Sequence, residues 1–445
     1  MKTLPEIVRV YPSALLGGTI LPPSSKYHTL RYILAAFLAQ GMSTIYFPAI
    51  SDDTDVLLQA CRQLGAHIHC ESLADERRIL SICGTGGILR TPPDTRIDVG
   101  NSGAVLRLLL GICTLSYEKI TFTTPYPQSL GRRPNVDLLQ ALTQLGATIE
   151  SYSDQGTLPI KIRGGQIHGG KIRISGKKSS QYISALLFLA PLLEEGLEIE
   201  IIDELTSASF LDLTIEVLEK AGIAVITRDL YKHYVVPGMQ HYQPGDYIIP
   251  GDYPSAASLL AAVAIAKGEI MITNLQSGDT QGEAILKVFS EMGVQISKSG
   301  NTITAKSRGP LHGIAIDGNK TIDSVPVIAA AACFANSPSR IYNVENLHLK
   351  ESDRINDLAQ ELNKAGCRVI PSADSIEIHP TGLDGIKGGV DLDAHADHRL
   401  IEAFVAVGLG SNLPITVSNT LHIAKSYPHF FEDLVHLGAK INQVF

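Results

Sequence analysis

The chain has 445 residues, a formal net charge of −8 and a pI near 6.0, which is too long for one small core and too acidic for a general nucleic-acid binder. Its six scattered cysteines form no CxxC pair, which fits a reducing compartment and argues against a disulfide scaffold. The start MKTLPEIVRVYPSALLGG lacks the apolar core of a secretory signal, and the apolar runs of about 11 residues fall short of a membrane span.

Two kinds of helix alternate in the pattern. An apolar helix is expected from Leu30 (LRYILAAFLAQG), followed by an amphipathic one, LLQACRQLGAHI, which closes on Gly65 and runs into a strand at Ile68. The same pair returns with AVLRLLLGICTL from Ala104 and LLQALTQLGATI through Gly146, then with SSQYISALLFLAPLL from Ser179 and TIEVLEKAGIAV through Gly222. It returns again with PSAASLLAAVAIAKG from Pro254 and ILKVFSEMGVQI through Gly293. The last two pairs are DSVPVIAAAACFANS from Asp323 with LAQELNKAGCRVI through Gly366, and DHRLIEAFVAVGLGS from Asp397 with FFEDLVHLGAKI through Gly438. The closing glycines recur at about 71 to 81 residues, each suited to a left-handed helix end. The pattern predicts an α/β fold of six βαβαββ units, three in each of two similar domains. One domain would span 21–245, and the other 1–20 plus 246–445. The chain would cross between them near Gly17–Pro22 and Tyr242–Asp252.

Polar residues gather where the apolar helices begin: Ser24-Ser25-Lys26, Gly100-Asn101-Ser102-Gly103, Ser179-Ser180-Gln181, Gly251-Asp252, Asp323 and Asp397-His398-Arg399. Free N–H groups and the helix dipole attract anions to such ends, and Lys26, Arg31, Arg107, Arg133, Lys350, Arg354, Arg399 and Lys425 add charge nearby. Taken singly, each cluster reads as a helix cap or a solvated ion pair. Their recurrence at matching places points to a site for a small polyanion, held by guanidinium forks. His67-Ile68-His69-Cys70 has alternate residues on one strand face and no supporting ligands, so no metal is expected. Gly176-Lys177-Lys178-Ser179 lacks the earlier glycine of a P-loop.

The ordered segments SSKYHTLR, GNSGAVLR, RRPNVDLLQAL, ISGKKSSQYISALL, PGDYPSAASLL, TIDSVPVIAAAACFA, LKESDRI, ADHRLIEAF and AKSYPHFFEDL resemble the EPSP synthase family of enolpyruvyl transferases from Ser24 to Leu434. The resemblance implies two domains of three repeats, each about a pseudo-threefold axis, with the active site in a cleft between them. It implies transfer of the enolpyruvyl group of phosphoenolpyruvate to the 5-hydroxyl of shikimate 3-phosphate, with phosphate released. By motif match, Lys26, Asn101, Gly103, Arg133, Gln181, Arg354, Arg399 and Lys425 would surround phosphoenolpyruvate. The acceptor would meet Lys26, Tyr27, Arg31, Ser179, Ser180, Gln181, Ser207, Asp323, Asn346 and Lys350, with the serines at its phosphate and Arg31 at its carboxylate. Asp323 and Glu351 would move the protons, supported by Lys26 and His398. No cofactor or metal is implied, nor any nucleic-acid or membrane partner, and the protein is expected to be a cytoplasmic monomer.

Three positions depart from the family pattern: Tyr27 for a usual serine, Ala104 for threonine and Phe210 for tyrosine. Tyr27 stands where the acceptor carboxylate would approach, so a paralogous transferase with another acceptor stays open, as does a non-catalytic binder of an anionic metabolite. The sister family acting on UDP-N-acetylglucosamine uses a loop cysteine, and the matching stretch TTPYPQSLGRRP contains none.

Overall fold

The computed structural model describes residues 4–74, 76–165, 167–382 and 385–444; the few others within the expected domains lie outside the described residues. The helices are α1 (Lys26–Leu38), α2 (Asp52–Gln63), α3 (Gly103–Ile112), α4 (Val136–Gln144), α5 (Ser180–Leu189), α6 (Ser209–Lys220), α7 (Tyr253–Ala266), α8 (Thr280–Glu291), α9 (Val325–Ala332), α10 (Asn356–Ala365), α11 (His398–Gly410) and α12 (Phe430–His436). The odd-numbered helices are the apolar ones and lie almost wholly in the core. The even-numbered helices bury one stripe and leave the rest to solvent. Each of these runs into its expected glycine at positive φ, from +79° at Gly222 to +111° at Gly146, where a side chain would be strained.

Six four-stranded sheets share one plan among the described residues. In one of them Thr95–Asp98 runs parallel to Ile120–Thr123, which pairs antiparallel with Ile160–Arg163, and that strand in turn with Thr148–Ser151. Helix α3 joins the parallel pair and α4 leads into the hairpin, so the unit reads βαβαββ as expected.

Strands distant in the chain complete some sheets. Asp246–Ile248 lies parallel to Met42–Tyr46 in the first repeat. Leu16–Ile20 lies parallel to Gly268–Ile272 in the fourth, and Ile7–Tyr11 pairs with both Ile415–Ser418 and Lys440–Val444 in the sixth. By internal contacts the chain divides into a first unit, Ser24–Ile249, and a second, Met1–Pro23 with Pro250–Phe445. Helices α7, α9 and α11 pack on one another at the centre of the second unit, and α3 packs on α5 in the first. Among the described residues no helix is long and apolar enough to cross a membrane.

One expected helix start moves. Asp323 does not open α9 but sits in a 3₁₀ segment, Gly318–Ser324, whose first turn is capped by the Asp317 side chain. With Pro326 in the first turn of α9, the regular helix begins after Asp323. The Asp323 carboxylate is therefore not a helix cap, and it accepts from side chains instead.

Candidate active site

In the first unit, serines cap the buried helices. The Ser25, Ser102 and Ser179 hydroxyls accept from the backbone N–H groups of His28, Val105 and Gln181 respectively. Ser179 thus serves as a cap, while Ser180 and Gln181 form the first turn of α5. Each cap satisfies one orphan N–H and places no negative charge at the helix end.

Arg107, on α3, reaches across this region. Its Nη1 donates to Gln181 Oε1 at 2.8 Å and to Ser179 Oγ at 3.3 Å, and its Nε donates to Asn135 Oδ1 at 3.2 Å. Gly103 leaves room for a second guanidinium, since a Cβ there would lie 3.2 Å from Arg133 Nη1 and 3.5 Å from Arg107 Nη1. Asn101 lies in the turn just before Ser102, so Asn101, Gly103, Arg133, Ser179 and Gln181 are grouped about the N-termini of α3 and α5. The sequence reading counts Arg107 among the cations of the anion site but gives it no ligand, and nothing in its apolar helix signals partners 28 to 74 residues away.

A second group surrounds the start of α1. Lys26 is buried and pairs with Asp53 Oδ2 at 3.2 Å. The Tyr27 ring packs against Phe210 with centroids 4.4 Å apart. Arg31 donates to Thr214 Oγ1 at 2.8 Å and to the carbonyls of Tyr27 and Phe210, each at 3.1 Å. Burial lowers its guanidinium to about 10. Ser207, buried with φ +58°, precedes α6, and its carbonyl accepts from Phe210 N. The two groups meet through neighbouring helices: Ser184 on α5 hydrogen-bonds Thr214 on α6 at 2.8 Å.

The second unit assembles its residues differently. Here the expected site residues are linked by charge. Arg354 is 1% exposed. It donates to both Asp397 oxygens, at 2.7 and 3.1 Å, to Asp323 Oδ1 at 3.2 Å and to Glu351 Oε2 at 2.9 Å. Burial disfavours its charge, but Asp397, Glu351 and Asp323 outweigh that and hold the guanidinium above its ordinary range. Lys350 donates to Asp323 Oδ1 at 3.2 Å, and Lys425 pairs with the other Glu351 oxygen, Oε1. For Lys350 burial prevails, lowering the ammonium despite the pull of Asp323. Asp323, Lys350, Glu351, Arg354 and Lys425 therefore form one connected chain of alternating charge.

His398 and Arg399 open α11 behind the cap Asp397, whose Oδ1 also accepts from Arg399 N at 2.9 Å. The Arg399 side chain turns to Glu402, donating from Nη1 at 2.9 and 3.2 Å. His398 is buried beside the cap, its Nδ1 3.8 Å from Asp397 Oδ1. Asn346 stands in the short 3₁₀ helix Glu345–Leu349, and its side-chain oxygen is buried with no hydrogen-bond partner among the described residues. A buried acceptor left open in this way suits a ligand hydroxyl. The carboxylates Asp397 and Glu402, which orient the two arginines, were not assigned ligand-site roles from the sequence.

A family model described as EPSP synthase (3-phosphoshikimate 1-carboxyvinyltransferase) matches residues 10–434. A 3-phosphoshikimate 1-carboxyvinyltransferase of Deinococcus radiodurans is 39% identical over 434 residues, covering 97% of this chain and 96% of that protein. The enzyme of that name from Methanocaldococcus jannaschii is 36% identical over 429 residues, covering 96% and 97%. In fold, the chain resembles a structure of EPSP synthase from Acinetobacter baumannii, with TM-score 0.82, 24% identity and coverage of 99% and 100%. It also resembles the enolpyruvyl transferase NikO from Streptomyces tendae, with TM-score 0.76, 18% identity and coverage of 98% and 98%.

Proposed function

The chain belongs to the EPSP synthase family, and from that premise we propose which of its residues carry each part of the reaction. It is a transferase that moves the enolpyruvyl group of phosphoenolpyruvate onto the 5-hydroxyl of shikimate 3-phosphate and releases phosphate. The carrying observation is the connected charge chain Lys350–Asp323–Arg354–Glu351–Lys425.

The acceptor hydroxyl gives its proton to Asp323 as its oxygen bonds C2 of phosphoenolpyruvate, and C3 takes a proton from Glu351 in its protonated form, giving a tetrahedral ketal phosphate. In the second step C3 gives a proton back to Glu351 as the C2–O bond to phosphate breaks, and the proton held by Asp323 leaves with the phosphate. Asp323 suits the first role because Lys350 and Arg354 both donate to one of its oxygens, Oδ1, and so orient the carboxylate. Glu351 spans Arg354 and Lys425, and an incoming trianion competes for those same cations. Drawing Lys425 away from Glu351 would raise the basicity of that carboxylate and make it a better proton carrier.

Arg354, Arg399 and Lys425, with Lys26, Asn101, Gly103, Arg133 and Gln181, are assigned to phosphoenolpyruvate. Ser179, Ser180 and Ser207 are assigned to the acceptor phosphate, Tyr27 and Arg31 to its carboxylate, and Asn346 and Lys350 to its ring hydroxyls, with His398 supporting proton movement. In this reading the protein works as a cytoplasmic monomer. Phosphate release from phosphoenolpyruvate, measured with shikimate 3-phosphate, shikimate or a UDP-sugar as acceptor, tests it. Turnover should require shikimate 3-phosphate; release with another acceptor, or with none, overturns the assignment.

A further inference from the structure

Helix α11 is a core element, with Leu400, Ile401, Ala403, Phe404 and Val405 all inaccessible to solvent. Glu402 lies in the middle of that run and is itself 0% exposed. A carboxylate so placed persists only where its oxygens are engaged. Both are. Oε1 and Oε2 accept from Arg399 Nη1 at 3.2 and 2.9 Å, Oε2 also accepts from Ser258 Oγ at 2.7 Å, and Oε1 from Ser426 Oγ at 3.3 Å. Burial raises the carboxyl above its ordinary range, while Arg399 and Ser258 oppose the rise.

These partners belong to three separate segments. Ser258 is on α7, Arg399 on α11, and Ser426 directly follows Lys425 at the end of the 3₁₀ segment Thr420–Lys425. One buried carboxylate thus fixes the guanidinium of Arg399 and ties it to the backbone that carries Lys425. Compensating the charge of Arg399 needs only one of these contacts. Holding two cations in register needs the contacts to both segments.

We propose that Glu402 is the positioning residue of the phosphoenolpyruvate subsite: it sets the orientation of Arg399 and locks the Lys425 segment to it. The proposal rests on the reading that Arg399 and Lys425 grip the donor. Glu402 itself stays beneath the site and touches neither substrate.

Steady-state kinetics of Glu402→Met, Glu402→Gln, Arg399→Met and the double variant, with thermal melts to confirm folding, test this. Glu402→Met should raise KM for phosphoenolpyruvate by about tenfold, the scale of a misplaced binding group, and leave KM for shikimate 3-phosphate within about twofold. Glu402→Gln, which keeps one carbonyl acceptor, should fall between it and the native enzyme. Adding Glu402→Met to Arg399→Met should raise KM by a smaller factor than Glu402→Met does alone, because one of the two cations it positions is already gone. If Arg399→Met raises KM for the donor but Glu402→Met does not, Glu402 does not position the site while the donor reading stands. If Arg399→Met leaves it unchanged, that reading fails first. Should Glu402→Met not fold, Glu402→Gln decides: a rise of about threefold in the donor KM alone supports positioning, and no rise overturns it.

Discussion

The buried helices of the first unit begin on Ser25, Ser102 and Ser179, whereas α7 and α11 of the second begin on Asp252 and Asp397. Both residue types satisfy an orphan N–H, but only aspartate brings a charge. In the first unit Arg107 donates to the neutral oxygens of Asn135, Ser179 and Gln181. In the second unit the cap Asp397 accepts from Arg354 Nε and Nη2, and Asp323 and Glu351 accept from Nη1 and Nη2. One arrangement sets guanidinium and ammonium groups among neutral caps. The other holds carboxylates and cations within proton-transfer distance of each other.

The contrast breaks most severely at Arg354. Arg354→Met leaves Asp397 buried without its counter-charge, which should lower unfolding free energy by about 3–5 kcal/mol and abolish turnover. Ser102→Ala in the first unit removes one neutral cap and should cost only about 1 kcal/mol. Urea denaturation of the two variants compares them directly, and equal losses would erase the distinction drawn between the caps.

Acid should act on the first unit through His28. Its ring is buried on α1 with Nδ1 2.9 Å from Ser25 Oγ, and burial, with Arg31 and Lys220 adding to it against Glu216, lowers its pKa from 6.5 to about 4. Between these values the unfolded chain binds a proton that the folded protein refuses. Stability present above pH 6.5 is therefore lost as pH falls toward 4, by about 3 kcal/mol in all. His28→Gln should flatten the stability curve in that window. An unchanged acid slope in this variant would assign the loss to other groups.

Chemistry is the third point of attack, and it concerns the second unit. Asp323→Asn keeps an oxygen for Lys350 and Arg354 but cannot take a proton. Binding of both substrates by calorimetry should persist while turnover falls by about 10²-fold, the lower end for a general base. Turnover near the native rate would remove Asp323 from the proton path.

How much of this was legible beforehand depended on the reach of each signal. The glycines that end the amphipathic helices and the capping residues Ser25, Ser102, Ser179, Asp252 and Asp397 act within a turn of their own helix, so sequence pattern finds them. Nothing in residues 246–248 announces their pairing with 42–46, because the register is set by a partner about two hundred residues away. Asp323 was readable as a candidate site residue but not as part of a 3₁₀ turn, since the Asp317 cap and Pro326 together decide where α9 begins. Glu402 was hidden for another reason. A single acidic residue in an apolar run carries no periodic signal, and its partner Ser258 lies 144 residues earlier.

The smallest expected effect lies at Tyr27, where the chain departs from its family. The phenol does not stand alone: its ring packs on Phe210 at 4.4 Å, tilted by 36°, at the start of α6. The main-chain carbonyls of the same two residues receive Arg31, and a side-chain substitution leaves those acceptors in place. Arg31 should therefore keep its position in Tyr27→Ser and remain the charge available to the acceptor carboxylate. The variant loses an aromatic pair, a stability cost of about 0.5–1.5 kcal/mol. Its affinity for shikimate 3-phosphate should change by no more than about 1–1.5 kcal/mol, the scale of one hydrogen bond. Tyr27→Phe separates the two contributions, since it keeps the ring contact and removes only the hydroxyl. Calorimetric titration of the native protein and both variants reads these differences. Absence of binding by the native protein at millimolar shikimate 3-phosphate, with Tyr27→Ser gaining it, would mean that the aromatic pair shapes a pocket for a different acceptor.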